Sequence, residues 1–192
     1  RLMAEQTKRM ENLVADLLVL SRLENNQNPL REEMVDIGVL LNEVYQGGLL
    51  LSGGKHVLHL EVEGSTKMSG NREELRSAFD NLLGNAIRYT PESGSITLRW
   101  FERGGQPVYS VQDSGIGIPA IHIPRLTERF YRVDRSRSRE TGGTGLGLAI
   151  VKHIAMRHQA RLEISSEEGK GSTFSLVFPS RRLDMPSDIT PA

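Results

Sequence analysis

Cysteine is absent from this sequence of 192 residues, which excludes disulfide bonds and thiolate metal sites and fits a reducing compartment. No apolar run approaches the roughly 20 residues that a membrane-spanning helix needs, and no signal-peptide pattern opens the chain. The 24 basic residues balance 24 acidic ones, which disfavours nucleic acid as a partner. The length suits one substantial core with an appendage. Because the chain starts at Arg1 and a helical pattern begins with its first residues, we expect this sequence to be a segment of a longer protein.

The stretch that is most informative about function is glycine-rich and spans residues 141–151, with the sequence TGGTGLGLAIV. Glycine lets the main chain approach a ligand closely, and the first N–H groups of a following helix lack partners and carry the positive end of its dipole. The stretch is therefore typical of a phosphate site, and the alternative is a flexible loop before a core helix. It is not a Walker loop, because Leu148 follows Gly147. It is not the dinucleotide fingerprint, because Ile150 stands where the third glycine belongs.

Residues 1–24 have the pattern of one amphipathic helix. Its apolar seam, spaced by threes and fours, consists of Met3, Gln6, Met10, Leu13, Leu17 and Leu20, widened by Val14 and Leu18. Such a helix would be roughly 36 Å long, so we expect another helix to cover it, from outside this chain or from a second subunit. The alternative is a helix folded back on the following domain. Residues 25–29, NNQNP, break the helix and form a linker.

The rest of the chain predicts several strands on one side and about three helices on the other, an α+β fold in two layers. Strands are expected at residues 30–35, 56–61, 96–102, 107–112, 161–165 and 173–178. The third and fourth of these strands are expected to form one antiparallel hairpin, and the last two another. Helices are expected at residues 36–51 with an interruption at Gly47-Gly48, from Asn71 to about 89, from Pro124 to 130, and after the glycine stretch. Asn71 is expected to cap the second of these helices, whose buried stripe consists of Leu75, Phe79, Leu82, Leu83 and Ala86. Residues 132–143 are expected to be mobile, and the tail after Pro179 unstructured.

Two further stretches carry polar residues in a suggestive order. Asn81, Asn85 and Arg88 share one helix face. Amide oxygens are suitable ligands for Mg²⁺, and a guanidinium is suited to bind phosphate. The alternative to a binding site is two solvated asparagines on the surface of a helix. Tyr89 could lie against a base or form the edge of the core. Residues 113–119, DSGIGIP, follow a strand directly, so the Asp113 carboxylate could accept from an exocyclic amine; the alternative is an ordinary turn.

Taken in order, residues 81–86, residues 113–117, Phe130 and residues 143–147 resemble the ATP-binding domain of sensor histidine kinases. They match the asparagine box, first glycine box, phenylalanine box and second glycine box of that family. Residues 1–24 resemble the second helix of its dimerisation hairpin, so the resemblance covers residues 1–180. The run at residues 123–134, IPRLTERFYRVD, is similar to that of phosphate-regulon sensor kinases of Gram-negative bacteria.

The resemblance implies a two-layer α/β sandwich, a mixed sheet backed by about three helices, shared with gyrase, Hsp90 and MutL. It implies a partial dimerisation hairpin and linker at residues 1–28, a catalytic and ATP-binding domain at 29–180, and a disordered tail at 181–192. It also implies ATP and Mg²⁺ as cofactors, with a lid at residues 132–144. The implied nucleotide-binding residues are Asn81, Asn85, Arg88, Tyr89, Asp113, Gly115, Gly117, Ile118, Arg132, Gly143, Thr144, Gly145, Leu146, Gly147 and Leu148.

In that resemblance, Asp113 binds the adenine amine, Asn85 helped by Asn81 holds Mg²⁺, and Arg88 reaches the phosphates. Asn81, Asn85 and Arg88 are thus the expected catalytic residues. ATP-hydrolysing relatives have glutamate where Asn81 stands, so hydrolysis should be slow and the phosphoryl group kept for a histidine, then for a response-regulator aspartate. None of the five histidines here begins the family's acceptor run, so the acceptor is expected outside this chain.

The resemblance also implies a homodimer formed through the N-terminal helix and a response-regulator receiver domain as partner. It implies the cytoplasmic domain of a bacterial inner-membrane protein, in which this segment itself does not contact the membrane. Two alternatives stay open: an ATPase domain of the chaperone or topoisomerase kind, and a nucleotide-binding module without kinase activity.

Overall fold

A computed structural model of the chain describes residues 2–25, 29–133 and 143–183. The helices are α1 (Leu2–Glu24), α2 (Ile37–Ser52), α3 (Arg72–Tyr89) and α4 (Gly147–Arg157). The strands are β1 (Glu33–Asp36), β2 (Val57–Val62), β3 (Lys67–Gly70), β4 (Ser95–Arg103), β5 (Gln106–Asp113), β6 (Arg161–Glu167) and β7 (Gly171–Val177). Short 3-10 helices lie at Ala120–Arg125 and Ser180–Arg182. No described helix is long and apolar enough to cross a membrane.

Five strands form one mixed sheet in the order β2-β4-β5-β7-β6. β2 runs parallel to β4, while β4–β5, β5–β7 and β6–β7 pair antiparallel. The mixed sheet is thus confirmed, as are the two hairpins. β1 and β3 form a separate two-stranded antiparallel sheet. The sequence did not predict β3, because in this four-residue strand only Met68 is an apolar residue, which leaves no alternation to detect.

Helices α2, α3 and α4 pack together against the sheet and enclose the core. The Asn71 side chain caps α3 by accepting from the Glu74 N–H at 3.0 Å, as predicted. The predicted apolar stripe of α3 is buried and consists of Leu75, Phe79, Leu82, Leu83 and Ala86. Phe79 stacks on Tyr109 of β5 with 3.9 Å between ring centroids. This contact fixes α3 on the sheet, and the polar face of the helix is held in place with it.

Two local predictions are wrong. Helix α2 is not interrupted at its glycine pair, because Gly48 lets the helix approach Leu83 of α3; a Cβ there would lie 2.5 Å from Leu83 Cδ2. The helix predicted from Pro124 to residue 130 is instead a 3-10 helix that starts earlier and ends at Arg125. Phe130 has a φ of 61°, a left-handed conformation that no α-helix continues through.

The C-terminal residues also differ from the prediction of a disordered tail. Residues 181–183, assigned to the disordered tail, are ordered: Arg182 is buried and Leu183 pairs with Met68 of β3. The remaining tail and residues 134–142 of the expected lid lie outside the described residues. The division into domains otherwise stays a prediction.

The C-terminal half of α1 packs back on the domain, which is the alternative to the expected helix from outside this chain or from a second subunit. Leu20 is 1% exposed and Leu23 is buried where α1 packs against α4. Glu24 ion-pairs with Arg129 and lies 3.3 Å from His153 Nε2. The other part of the apolar stripe is exposed in this chain and includes Met3, Met10, Val14, Leu17 and Leu18. The seam is therefore divided between an intramolecular contact and an open face.

Candidate functional site

A cavity of about 730 Å³ lies between α3, the loop after β5 and the N-terminus of α4. Most of the predicted site residues line it: Asn81, Asn85, Arg88, Tyr89, Asp113, Gly117, Ile118, Arg132, Gly143, Thr144, Gly145, Gly147 and Leu148. Gly115 and Leu146 are not in its wall. Gly115 acts through its N–H, which donates to Asp113, and Leu146 is buried in the core. Residues from three distant parts of the chain thus meet at one site.

Asp113 ends β5 at the bottom of the cavity and is 9% exposed. Its Oδ1 accepts from the Gly115 N–H at 2.8 Å. Burial raises the pKa of this carboxyl from its ordinary value, opposed by hydrogen bonds from the backbone N–H groups of Gly115 and Ser172. The group is a hydrogen-bond acceptor held in a fixed orientation, with little water around it.

Gly117 brings the loop after β5 against the turn between β6 and β7. It has a φ of 68°, and a Cβ would collide with the Glu167 carbonyl oxygen. The neighbouring Ile118 N–H donates to Ser166 Oγ at 2.8 Å. The loop is therefore held against the sheet, and main chain forms the side of the cavity beside Asp113.

Asn81 faces the first turn of α4. Its Nδ2 donates to the Ser77 carbonyl at 2.8 Å, which turns Oδ1 toward the glycine loop. A Cβ on Gly147 would lie 2.7 Å from that oxygen, so only glycine permits this approach of α4 to α3. One amide oxygen is thereby placed beside the unpaired N–H groups of a helix start.

Two guanidinium groups flank the glycine loop. Arg132 Nη1 donates to the Gly143 carbonyl at 2.7 Å, and Arg88 Nη1 donates to Asn85 Oδ1 at 3.3 Å. Burial lowers the pKa of Arg88 from its ordinary value and the charge of Arg132 lowers it further, while Tyr89 and Asp16 oppose the shift. Two neighbouring cations and the positive end of α4 make this end of the cavity suited to an anion.

Residue Phe130 couples its segment to the glycine loop. Its N–H donates to the Gly145 carbonyl at 2.9 Å, and the Leu146 N–H donates to Thr144 Oγ1 at 3.2 Å. The phenyl ring itself is exposed. The phenylalanine box therefore acts on the site through its backbone.

The sequence did not predict several residues of the wall. They include Asn12, Ala15 and Asp16 of α1, Thr90 after α3, and Ser172 and Phe174 of β7. Thr90 is buried and donates to the Ala86 carbonyl at 2.7 Å. The sequence pattern of α1 could not predict that three of its residues line the cavity. Helical spacing indicates which residues share a face of the helix but not which surface that face contacts.

Among the described residues no cluster of three or more His, Asp or Glu side chains could hold a metal ion. The amide oxygens of Asn81 and Asn85 lie one helical turn apart at the cavity. Mg²⁺ keeps several waters and takes few protein ligands when phosphates supply the others. This donor set fits Mg²⁺ bound together with a polyphosphate and does not fit a metal cage made by protein alone.

Comparison with known proteins identifies the family. Residues 70–182 match the family described as histidine kinase-, DNA gyrase B- and HSP90-like ATPase, which is more than half of the chain. The chain belongs to this family. It is therefore an ATP-binding domain, and the fold and resemblance expected from the four boxes are confirmed.

The relatives within that family are sensor kinases. The chain is 50% identical over 177 residues to the phosphate regulon sensor protein PhoR of Pseudomonas aeruginosa, covering 92% of this chain and 40% of that protein. It is 38% identical to PhoR of Haemophilus influenzae, covering 93% of this chain and 42% of the relative. The crystal structure of full-length ShkA in complex with AMPPNP matches with a TM-score of 0.76 and 28% identity, over 88% of this chain and 35% of that one. The chain thus spans about two fifths of the length of these two PhoR proteins.

Proposed function

We propose that this chain is the ATP-binding catalytic domain of a sensor histidine kinase that signals phosphate starvation. It would transfer the γ-phosphoryl group of ATP to a histidine of the dimerisation hairpin outside this chain. The response-regulator aspartate would then receive it. The observation that carries this proposal is the single cavity that joins a buried acceptor, Asp113, to a cationic glycine loop and helix start. The two phosphate-regulon relatives support the signalling role.

Adenine would occupy the end of the cavity at Asp113. The carboxylate would accept from the exocyclic amine, and its own hydrogen bond from Gly115 keeps it oriented for this. Tyr89 and Ile118 line the wall and would cover the faces of the ring. Guanine presents an oxygen where adenine presents the amine, so the buried carboxylate would face an acceptor and reject it.

The phosphates would lie at the other end, against the N-terminus of α4 and the guanidinium groups of Arg88 and Arg132. When bound, Mg²⁺ supplies further neutralisation of charge on the phosphate oxygens. Asn85 and Asn81 would hold it through their amide oxygens. The side-chain hydrogen bond from Arg88 to Asn85 orients one of these oxygens.

The chemistry would be a displacement at the γ-phosphorus. A neutral imidazole nitrogen forms the new N–P bond while the bond to the bridging β,γ-oxygen breaks, and ADP leaves. The imidazole nitrogen is already nucleophilic, so this step needs positioning and charge neutralisation more than a strong base. Asn81, which cannot act as a base, suits transfer and disfavours activation of water.

The alternative of a hydrolysing ATPase rests on one observation, which is that Asp80 also lines the cavity beside Asn81. Its Oδ2 lies 3.5 Å from Arg76 Nε, and half of the side chain is exposed. Burial raises the pKa of Asp80 from its ordinary value, and the charge and hydrogen bond of Arg76 oppose this shift. Because Arg76 occupies the carboxylate, Asp80 is poorly placed to activate a water molecule. Kinase activity is therefore preferred.

Dimerisation, a receiver-domain partner and membrane anchoring belong to the proposal for the whole protein. The exposed stripe on α1 supports a helical partner. Phosphoryl transfer would take place on the cytoplasmic side of the inner membrane, where ATP is available.

The test supplies this chain with a separate hairpin that carries the acceptor histidine and with γ-labelled ATP. We expect acid-labile, alkali-stable label on the hairpin and none on this chain alone. The rate should be low, because the tether that raises effective concentration is incomplete. Steady-state release of phosphate from ATP without label on the hairpin would favour the ATPase alternative.

A further inference from the structure

The wall of the cavity contains a carboxylate that the adenine and phosphate sites do not use. Asp16 of α1 lines the cavity together with Asn12 and Ala15. Its Oδ2 accepts from Thr144 Oγ1 at 2.6 Å. Thr144 belongs to the glycine loop, so helix α1 is hydrogen-bonded directly to the predicted phosphate-binding loop.

The position of Asp16 is set by packing and not by this bond alone. Leu20 and Leu23, one and two turns further along α1, are buried against the domain. At the end of the helix Glu24 pairs with Arg129 and lies near His153 of α4. These contacts hold α1 along α4 and leave Asp16 partly buried in the wall of the cavity, beside Thr144.

The charge of Asp16 has the same sign as that of the expected ligand. Asp16 is close enough to Arg88 for its charge to act on that guanidinium, which is one of the two cations at the phosphate end. The hydroxyl of Thr144 has one hydrogen to donate, and here Asp16 receives it. A phosphate placed against the loop would need the same donor and the same cations.

We propose that Asp16 occupies the phosphate end of the cavity as a competing anion, so that docking of α1 and binding of the nucleotide phosphates oppose each other. This inference rests on the proposed nucleotide site and adds its regulation. Undocking of α1 removes a negative charge from the cavity and frees the Thr144 hydroxyl. By reciprocity, phosphates that bind in the cavity weaken the docking of α1 by the same factor.

The first experiment compares Asp16→Asn with the unmutated chain by calorimetric titration of ATP, ADP and adenosine, with and without Mg²⁺. The substitution keeps the shape and one acceptor oxygen but removes the charge. We expect ATP to bind about threefold to tenfold more tightly, ADP to gain less, and adenosine to gain nothing. The gain should shrink at high salt. Glu11→Gln is the matched control, because Glu11 is an exposed acid on α1 that pairs only weakly with Lys8 at 3.5 Å, and it should leave all three affinities unchanged.

Other outcomes contradict the proposal. Weaker ATP binding by Asp16→Asn would mean that the carboxylate organises the loop for nucleotide. A loss seen only with Mg²⁺ would make Asp16 a metal ligand. Equal gains for ATP and adenosine would point to a change of shape and not of charge. An ATP affinity unchanged in Asp16→Asn would overturn the proposal. If the unmutated chain binds no ATP, the proposed function itself fails, which is a different result.

A second measurement follows the helix directly. Because the chain has no cysteine, spin labels can be placed through Met10→Cys on α1 and Met156→Cys on α4, both at exposed positions. We expect the distance between the labels to increase or broaden when a non-hydrolysable ATP analogue saturates the site. Adenosine should not change it. A distance that stays fixed under saturating analogue would overturn the coupling.

Discussion

Replacement of Asp113 by asparagine separates recognition of adenine from stability of the fold. The carboxylate is nearly buried at the end of β5 and accepts from the Gly115 N–H. Asparagine keeps the shape and one acceptor oxygen, but it lacks the charge and presents an amide donor. A hydrogen bond to a charged group contributes roughly 1.5–3 kcal/mol, so Asp113→Asn should weaken ATP binding about tenfold to a hundredfold.

The fold should survive the same change. Burial raises the pKa of Asp113, which means that the folded protein disfavours its ionised form relative to the unfolded chain. A neutral isostere removes that cost near neutral pH. We therefore expect the midpoint of thermal unfolding of Asp113→Asn to be equal to or higher than that of the unmutated protein.

The assay is calorimetric titration of ATP and GTP together with thermal unfolding. Glu168→Gln is the control, since Glu168 is an exposed acid in the same cavity wall and should keep the preference for ATP. Equal affinity of the unmutated protein for ATP and GTP would refute the assignment of Asp113. Unchanged ATP affinity in Asp113→Asn would refute it as well.

The remaining predictions concern different parts of the domain. Asn85→Ala and Asn85→Asp should abolish phosphoryl transfer to a supplied hairpin, with a smaller effect on nucleotide binding without Mg²⁺; normal transfer by the alanine variant would remove this residue from the site. Gly147→Ala places a Cβ 2.7 Å from Asn81 Oδ1 and should weaken ATP binding at least about tenfold. Gly47 of α2 faces open space, so Gly47→Ala should instead raise the free energy of unfolding by roughly 0.4–1 kcal/mol. His158 is fully buried, its Nε2 accepts a backbone N–H, and burial lowers its pKa. The unfolded chain therefore binds the proton at a higher pH than the folded protein does, so the midpoint of thermal unfolding should fall as pH drops below about 6.5. A midpoint that does not fall over this range would contradict the prediction.

The sequence alone determined the features that depend on neighbouring residues. The cap of α3 at Asn71, its buried stripe and the two hairpins follow from turn chemistry and periodicity, which act over a few residues. The order of the four boxes was sufficient to predict the family, because each box needs particular residues at fixed short spacings. Most of the residues in these boxes line one cavity. The resemblance implied that they would meet, whereas the spacing within each box did not.

Features that depend on distant contacts were decided only by the tertiary structure. Strand β3 is too short to show a pattern, and it exists because β1 pairs with it and Leu183 extends the pairing. The segment before Phe130 is held in a non-helical form by the bond between the Phe130 N–H and Gly145. Neither partner lies within the reach of a local pattern.

The clearest case is α1. Its sequence determined an amphipathic helix and the residues of its apolar stripe, but an apolar stripe packs on any surface of suitable shape. Leu20 is buried where α1 packs on α4, and Asp16 was thereby brought to Thr144, 128 positions away in the sequence. Periodicity fixes which side chains share a face, whereas the surface that covers this face is decided by competition among all apolar surfaces of the folded chain. That competition is why the sequence identified the nucleotide site and only the structure placed an acidic residue of another helix inside it.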